Sequence, residues 1–105
     1  MARPYAVRLH PAVRDDLERI AEGLADYAGP EVAARKLEAF ADALRRLALT
    51  PHKGTIRDAI APGLRAIPAA GRGVIVFMVD DAARLVLVKA IGYAGSDWVG
   101  RARRR

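Results

Sequence analysis

Two apolar runs dominate the second half of the chain, Val74–Val79 and Leu85–Ile91, separated by Asp80-Asp81-Ala82-Ala83. Short apolar runs bounded by turn residues read as strands, and the connection between them is short enough for a hairpin. A lone hairpin is marginal in water, so the rest of the chain must supply further strands and an apolar cover.

The strands come from two places. "YAVRLHP" (Tyr5–Pro11) alternates, with Tyr5, Val7 and Leu9 on one side and Ala6, Arg8 and His10 on the other, as in a half-buried strand. "LRAIP" (Leu64–Pro68) predicts another short strand, ended by proline. On that alternation Leu64 and Ala66 face the cover and Arg65 faces the free side of the sheet. Lys89, set against Val88 and Ala90, also reads as pointing away from the cover.

The cover comes from a change of period. Val13, Leu17, Ile20, Ala21, Leu24, Tyr27 and Ala28 recur at helical spacing, with Asp15, Asp16, Glu18, Arg19, Glu22 and Asp26 mostly elsewhere on the wheel. Pro11 suits the opening of this helix and His10 its N-cap. Gly29-Pro30 closes it and opens the next, in which Ala33, Leu37, Phe40, Ala41, Leu44, Leu47 and Ala48 repeat the stripe. Thr50-Pro51 stops the second helix. So short a connection makes an antiparallel helical hairpin. Residues 51–63, with two prolines and two glycines, read as a loop.

The predicted order is β-α-α-β-β-β: an α+β two-layer sandwich with the helical hairpin packed on an antiparallel sheet. Val13, Leu17, Ile20, Leu24, Leu37, Phe40, Leu44, Val74, Val76 and Leu87 are the expected core. The 105 residues fit a single domain over 1–105, with the basic tail 101–105 disordered.

Composition narrows the chemistry. There is no cysteine, which excludes disulfides, thiolate metal sites and cysteine nucleophiles. His10 and His52, the only histidines, are too few for a metal site, so none is expected. Asp80-Asp81 reads as turn chemistry rather than a carboxylate pair. "GRG" at Gly71–Gly73 precedes a strand, which argues against a phosphate loop. The opening residues, Met1 to Tyr5, lack the apolar stretch of a leader, and no run approaches the roughly 20 residues of a membrane helix. A cytoplasmic location is the expectation.

The net charge is +6, and it lies in the second half. Residues 1–50 balance eight basic residues with eight acidic ones, whereas residues 51–105 hold ten against four. Four of those ten sit in the tail "RARRR". Such a surface suits an acidic partner, either nucleic acid or an acidic peptide. Lys53, Arg57, Arg65, Arg72 and Lys89 are the candidate contacts, since arginine binds carboxylate or phosphate in a forked geometry.

"PGLRAIPAAGRGVIVFMVDD" (Pro62–Asp81) and "HPAVRDDLERIAEGLADY" (His10–Tyr27) together resemble the RelE/ParE superfamily, the toxins of type II toxin–antitoxin systems. Gly63-Leu64-Arg65, Gly71-Arg72, Val74-Ile75, Phe77 and Val79-Asp80 carry the likeness in the sheet; Asp16-Leu17 and Ile20 carry it in the first helix. The resemblance implies no cofactor. It implies a cognate antitoxin, usually a small DNA-binding protein with an acidic C-terminal segment. RelE-like members are ribosome-dependent mRNA endoribonucleases, and ParE-like members are described as poisons of DNA gyrase. RelE-like sequences tend to carry Arg where Gly73 stands, and often I-G-H-R where this chain has Ile91-Gly92-Tyr93-Ala94. The resemblance therefore implies the ParE-like branch. On the ribonuclease alternative the catalytic candidates are Arg65, Arg72 and Tyr93. On either branch Lys53, Arg57, Arg65, Arg72, Lys89, Tyr93 and Trp98 are the expected target- or antitoxin-binding residues. A third alternative is a non-toxic homologue that only binds its antitoxin.

Overall fold

A computed structural model describes residues 3–105 as β1 (Ala6–Leu9), α1 (Val13–Ala28), α2 (Pro30–Leu47), β2 (Thr55–Ile56), β3 (Arg65–Ala69), β4 (Gly73–Asp80), β5 (Leu85–Tyr93) and α3 (Trp98–Arg104). Met1 and Ala2, the start of the segment read as lacking a leader, lie outside the described residues. The strands form one sheet in the order β1-β5-β4-β3-β2. The expected order is present with two additions, β2 and α3. The sheet is mixed, because β1 joins the β5 edge in parallel while the other pairs are antiparallel.

Both helices form where the stripe predicts. Gly29, at φ 95°, donates its amide to the Ala25 carbonyl at the end of α1 and precedes Pro30 at the start of α2, a backbone conformation that favours glycine. The start of α1 falls later than Pro11 suggests. Ala12 is the N-cap, and His10 instead accepts the Ala12 amide through Nδ1 at 3.1 Å.

The main core lies between the helices and one sheet face: Val13, Phe40, Ala43 and Leu47 meet Ile67, Ala69, Ile75, Phe77, Val86, Val88 and Ile91. Of the expected core, Val13, Leu24, Phe40 and Val76 are buried. Leu17, Ile20 and Leu44 pack partly buried at the margin of the main core. Leu87 is not among the buried residues; its neighbours Val86 and Val88 are fully enclosed.

The opposite sheet face is covered too. Leu64, Val76 and Ala90 pack with Ala102 of α3, flanked by Ile60, Ala61, Val74, Met78 and Trp98. Residues 101–104 of the tail read as disordered instead continue α3, which Ala102 and Trp98 hold against the sheet. This second core also corrects the orientation of β3. Leu64 faces α3, while Ile67 and Ala69 face the helical hairpin. By alternation Arg65 lies on the hairpin side, opposite Phe77, rather than on a free face.

Candidate functional site

Each residue of β4 pairs with a residue of β5 in step until Val76 meets Ala90 and Phe77 meets Val88. Lys89 is the extra residue of a bulge. The bulge puts Val88 in one core and Ala90 in the other, so the simple alternation used for Lys89 fails there. Lys89 reaches the main-chain oxygen of Arg105.

β1 pairs with β5 only as far as Val88, because the chain then turns into α1. The exposed edge beyond it is satisfied by side chains. Asp16 accepts the Ile91 amide at 3.0 Å, Arg101 donates to the Ile91 carbonyl at 3.2 Å, and Arg105 donates to the Lys89 carbonyl at 3.0 Å. Asp16 is almost wholly buried and sits among Arg19, Arg101 and Arg105. Burial pushes its carboxyl up, but the Arg105 hydrogen bond, the Ile91 amide and the charges of Arg105 and Arg101 hold it below the usual carboxylate range. Helical periodicity had placed Asp16 on the solvent side. Only its place beside Leu17, in the Asp16-Leu17 and Ile20 set that carries the family likeness in the first helix, hinted at more.

A cleft of about 520 Å³ opens beside this network. α1 supplies Arg19, Ile20, Leu24 and Tyr27; α2 supplies Val32 and Lys36; the β3–β4 turn supplies Arg72; and Tyr93, Ser96 and Arg101 close it. Tyr93 pairs with Gly73 across the strands, and its ring meets Phe40 edge-on at 6.3 Å between centroids. Gly73 is needed there, since a Cβ would lie 2.4 Å from the Phe40 ring and 2.6 Å from the Ala69 carbonyl oxygen. A second groove of about 510 Å³ runs between the helices, lined by Leu9, Leu17, Ala21, Leu37, Phe40 and Leu44, with Arg14 and Glu18 alongside. Leu37 and Leu44, expected in the core, line this groove.

The other end of the sheet holds a separate polar cluster. Tyr5 donates to Asp81 at 2.7 Å and His52 lies 2.6 Å from the same oxygen. Arg84 sits over the Tyr5 ring, 4.7 Å from its centroid. The Tyr5 hydrogen bond leads in holding Asp81 below the usual range, with His52 and Arg65 adding to it against a desolvation cost. Asp80, by contrast, caps the Ala83 amide at 3.0 Å, as turn chemistry predicts.

The predicted contact residues thus divide. Arg72 and Tyr93 share the cleft. Arg65 lies at the Asp81 end, with Lys53 and exposed Arg57 on the loops around β2. Trp98 and Lys89 belong to the α3 side, Trp98 packing over Gly92. The sequence reading missed Arg19, Lys36 and Arg101; the helical wheel gave Arg19 and Lys36 no distinguishing signal. Among the described residues no three histidine, aspartate or glutamate side chains group as metal ligands, and no helix is long and apolar enough to cross a membrane.

A helical hairpin on a five-stranded mixed sheet in this element order is the RelE/ParE class of fold. Solved structures share it. A chain of the chromosomal ParDE toxin–antitoxin system from P. aeruginosa superposes with TM-score 0.73 at 17% identity, over 89% of this chain and 99% of that one. A chain of the RelBE2 toxin–antitoxin complex from Mycobacterium tuberculosis gives 0.56 at 23%, over 87% and 99%. An E. coli RelE toxin mutant in the free state gives 0.66 at 17%, over 97% of each chain. No curated protein matches the sequence. Residues 7–98 match the family described as the ParE toxin of the type II toxin–antitoxin system, parDE, and the chain belongs to that family.

Proposed function

We propose that this toxin inhibits DNA gyrase in the cytoplasm by protein contact, and that a cognate antitoxin neutralises it. The observation that carries this reading is the separation of the ribonuclease candidates. Tyr93 stands opposite Gly73 and Arg65 opposite Phe77, four residues further along β4. At about 3.3 Å per residue this is roughly 13 Å, before the width of the intervening strands is added. A general acid or base must lie within hydrogen-bond reach of the reacting group, and a backbone separation of this size does not favour Arg65 and Tyr93 acting on one scissile phosphate. Gly73 packs under Phe40, which leaves no room for the phosphate-binding arginine that RelE-like members tend to carry there.

The inter-helix groove supports the antitoxin part. Its apolar lining suits an amphipathic helix laid between α1 and α2, with the acids of the same partner meeting basic residues outside the groove. Purified protein should block gyrase supercoiling and leave ribosome-bound mRNA uncut, and antitoxin should restore supercoiling. Cleavage of mRNA in the ribosomal A site with unaffected gyrase would overturn the reading in favour of the ribonuclease. Inactivity in both assays, with antitoxin still bound, would favour the non-toxic homologue.

A further inference from the structure

Cations outnumber carboxylates around Asp16, even with Asp15 also acting on Arg105. One carboxylate faces three guanidinium groups: Arg19 at 2.8 Å, Arg101 at 3.2 Å and Arg105 at 2.6 Å. The Arg101 contact is made by its buried Nε, which pairs in charge with Asp16 Oδ1 without hydrogen-bond geometry. The neighbouring cleft adds Lys36 and Arg72 and no carboxylate besides Asp16. Lys36 lies against the β3–β4 turn, its Nζ 3.0 Å from where a Cβ on Gly71 would sit. Cations therefore stand on two sides of the cleft, Arg19 and Arg101 on one and Lys36 and Arg72 on the other, with Ile20, Leu24 and Val32 among its apolar lining.

We infer that this cleft binds an acidic peptide segment through one aliphatic anchor flanked by carboxylates. The anchor removes the apolar wall from water, and the carboxylates supply the counter-charge that Asp16 alone cannot. A nucleic-acid phosphate would satisfy the cations and leave the aliphatic wall unused, so the peptide fits the whole lining better. The inference rests on the antitoxin reading for the origin of the peptide. It places the partner's acids here rather than on Arg57 and Arg65.

The test is titration of the isotope-labelled protein with acetyl-Glu-Glu-Leu-Glu-Glu-amide, followed by NMR. Acetyl-Gly-Gly-Leu-Gly-Gly-amide and a short single-stranded oligonucleotide serve as the comparison probes. The acidic peptide should move the Ile20, Val32 and Tyr93 signals and bind more tightly than either comparison. Its affinity should fall about tenfold in the Lys36→Ala/Arg72→Ala variant, whose two changes remove charge contacts at the rim of the cleft. Val32→Glu, which puts a carboxylate among the apolar groups, should weaken it similarly. Shifts confined to Leu37 and Leu44, an affinity unchanged in both variants, no binding of the acidic peptide, or tighter binding of the oligonucleotide at the same residues would each overturn the inference. The gyrase assay separates the two readings. If antitoxin still rescues gyrase from the Lys36→Ala/Arg72→Ala toxin at unchanged affinity, the cleft assignment fails and the antitoxin reading stands. If the peptide binds as expected but gyrase is never inhibited, the gyrase reading alone fails.

Discussion

Arg105 donates to Asp16 across 89 residues of sequence, at 2.6 Å, and so ties α3 to α1 over the unpaired edge of β5. A buried carboxylate that accepts a strand amide while holding arginines replaces the strand that β1 does not provide. Removing one partner of a buried ion pair leaves uncompensated charge, at about 3–5 kcal/mol. Asp16→Ala should therefore lower stability by about that much, measured by urea unfolding. Arg105→Ala leaves Arg19 and Arg101 in place and should cost less, about 1.5–3 kcal/mol.

The same carboxylate sets an acid limit. Its folded pKa is depressed, so its contribution is fully present above the unfolded value of about 3.9 and is lost as pH falls through the folded value. Thermal melts should show this contribution constant from neutral pH down to about 5 and declining below about 4. The Asp16→Asn variant should lose that part of the decline. An unchanged acid profile in Asp16→Asn would show that the carboxylate is not held as the geometry implies.

Leu47 and Leu44 distinguish core from groove. Leu47 is fully enclosed in the main core, and Leu47→Ala should cost about 2–5 kcal/mol. Leu44 lines the inter-helix groove, and Leu44→Ala should cost about 1 kcal/mol or less in the free toxin. Antitoxin affinity should respond in the opposite order, with Leu44→Ala the more damaging.

The helical hairpin and the element order β-α-α-β-β-β were legible because each rests on local periodicity and on Gly-Pro punctuation, whereas β2 and the parallel pairing of β1 were not. Nor was the orientation of β3. Leu64 and Ala66 are as apolar as Ile67 and Ala69, and two covered faces erase the alternation that would show which side is which. Ala90 was misread as sharing a face with Val88, because a bulge at Lys89 shifts the period by one residue. The tail was misread because five residues rich in arginine look solvated, while Ala102 and Trp98, which hold the helix down, are a weak apolar signal. In the cleft, Arg72 and Tyr93 were legible from the family pattern. Arg19, Lys36 and Arg101 become neighbours only through the packing of α1, α2 and α3 around β5.

Gly73 tests the steric barrier to ribonuclease chemistry. A methyl group there must displace the Phe40 ring and approach the Ala69 carbonyl. Overpacking of this kind costs about 1–3 kcal/mol, so Gly73→Ala should lower the urea midpoint with little change in slope. Gly73→Arg should destabilise further and confer no mRNA cleavage. A stable, cleaving Gly73→Arg variant would show that Phe40 yields readily and that the missing arginine alone separates the two activities.

Tyr93→Phe separates contact from catalysis. The Tyr93 ring packs edge-on against Phe40, and phenylalanine preserves that packing while removing the hydroxyl. If the hydroxyl were a general acid or base, its loss would reduce cleavage by about 10²–10⁴. A toxin acting by protein contact should keep its growth inhibition, and its inhibition of supercoiling should change less than about fivefold, the order of one modest hydrogen bond. Arg72→Ala in the same background should leave mRNA intact while weakening antitoxin binding, because Arg72 lines the cleft. Arg65→Ala should leave antitoxin affinity nearly unchanged, because Arg65 lies at the Asp81 end of the sheet. Loss of toxicity in Tyr93→Phe together with loss of ribosomal mRNA cleavage would place the hydroxyl in a reacting centre, and the gyrase reading would give way to the ribonuclease one.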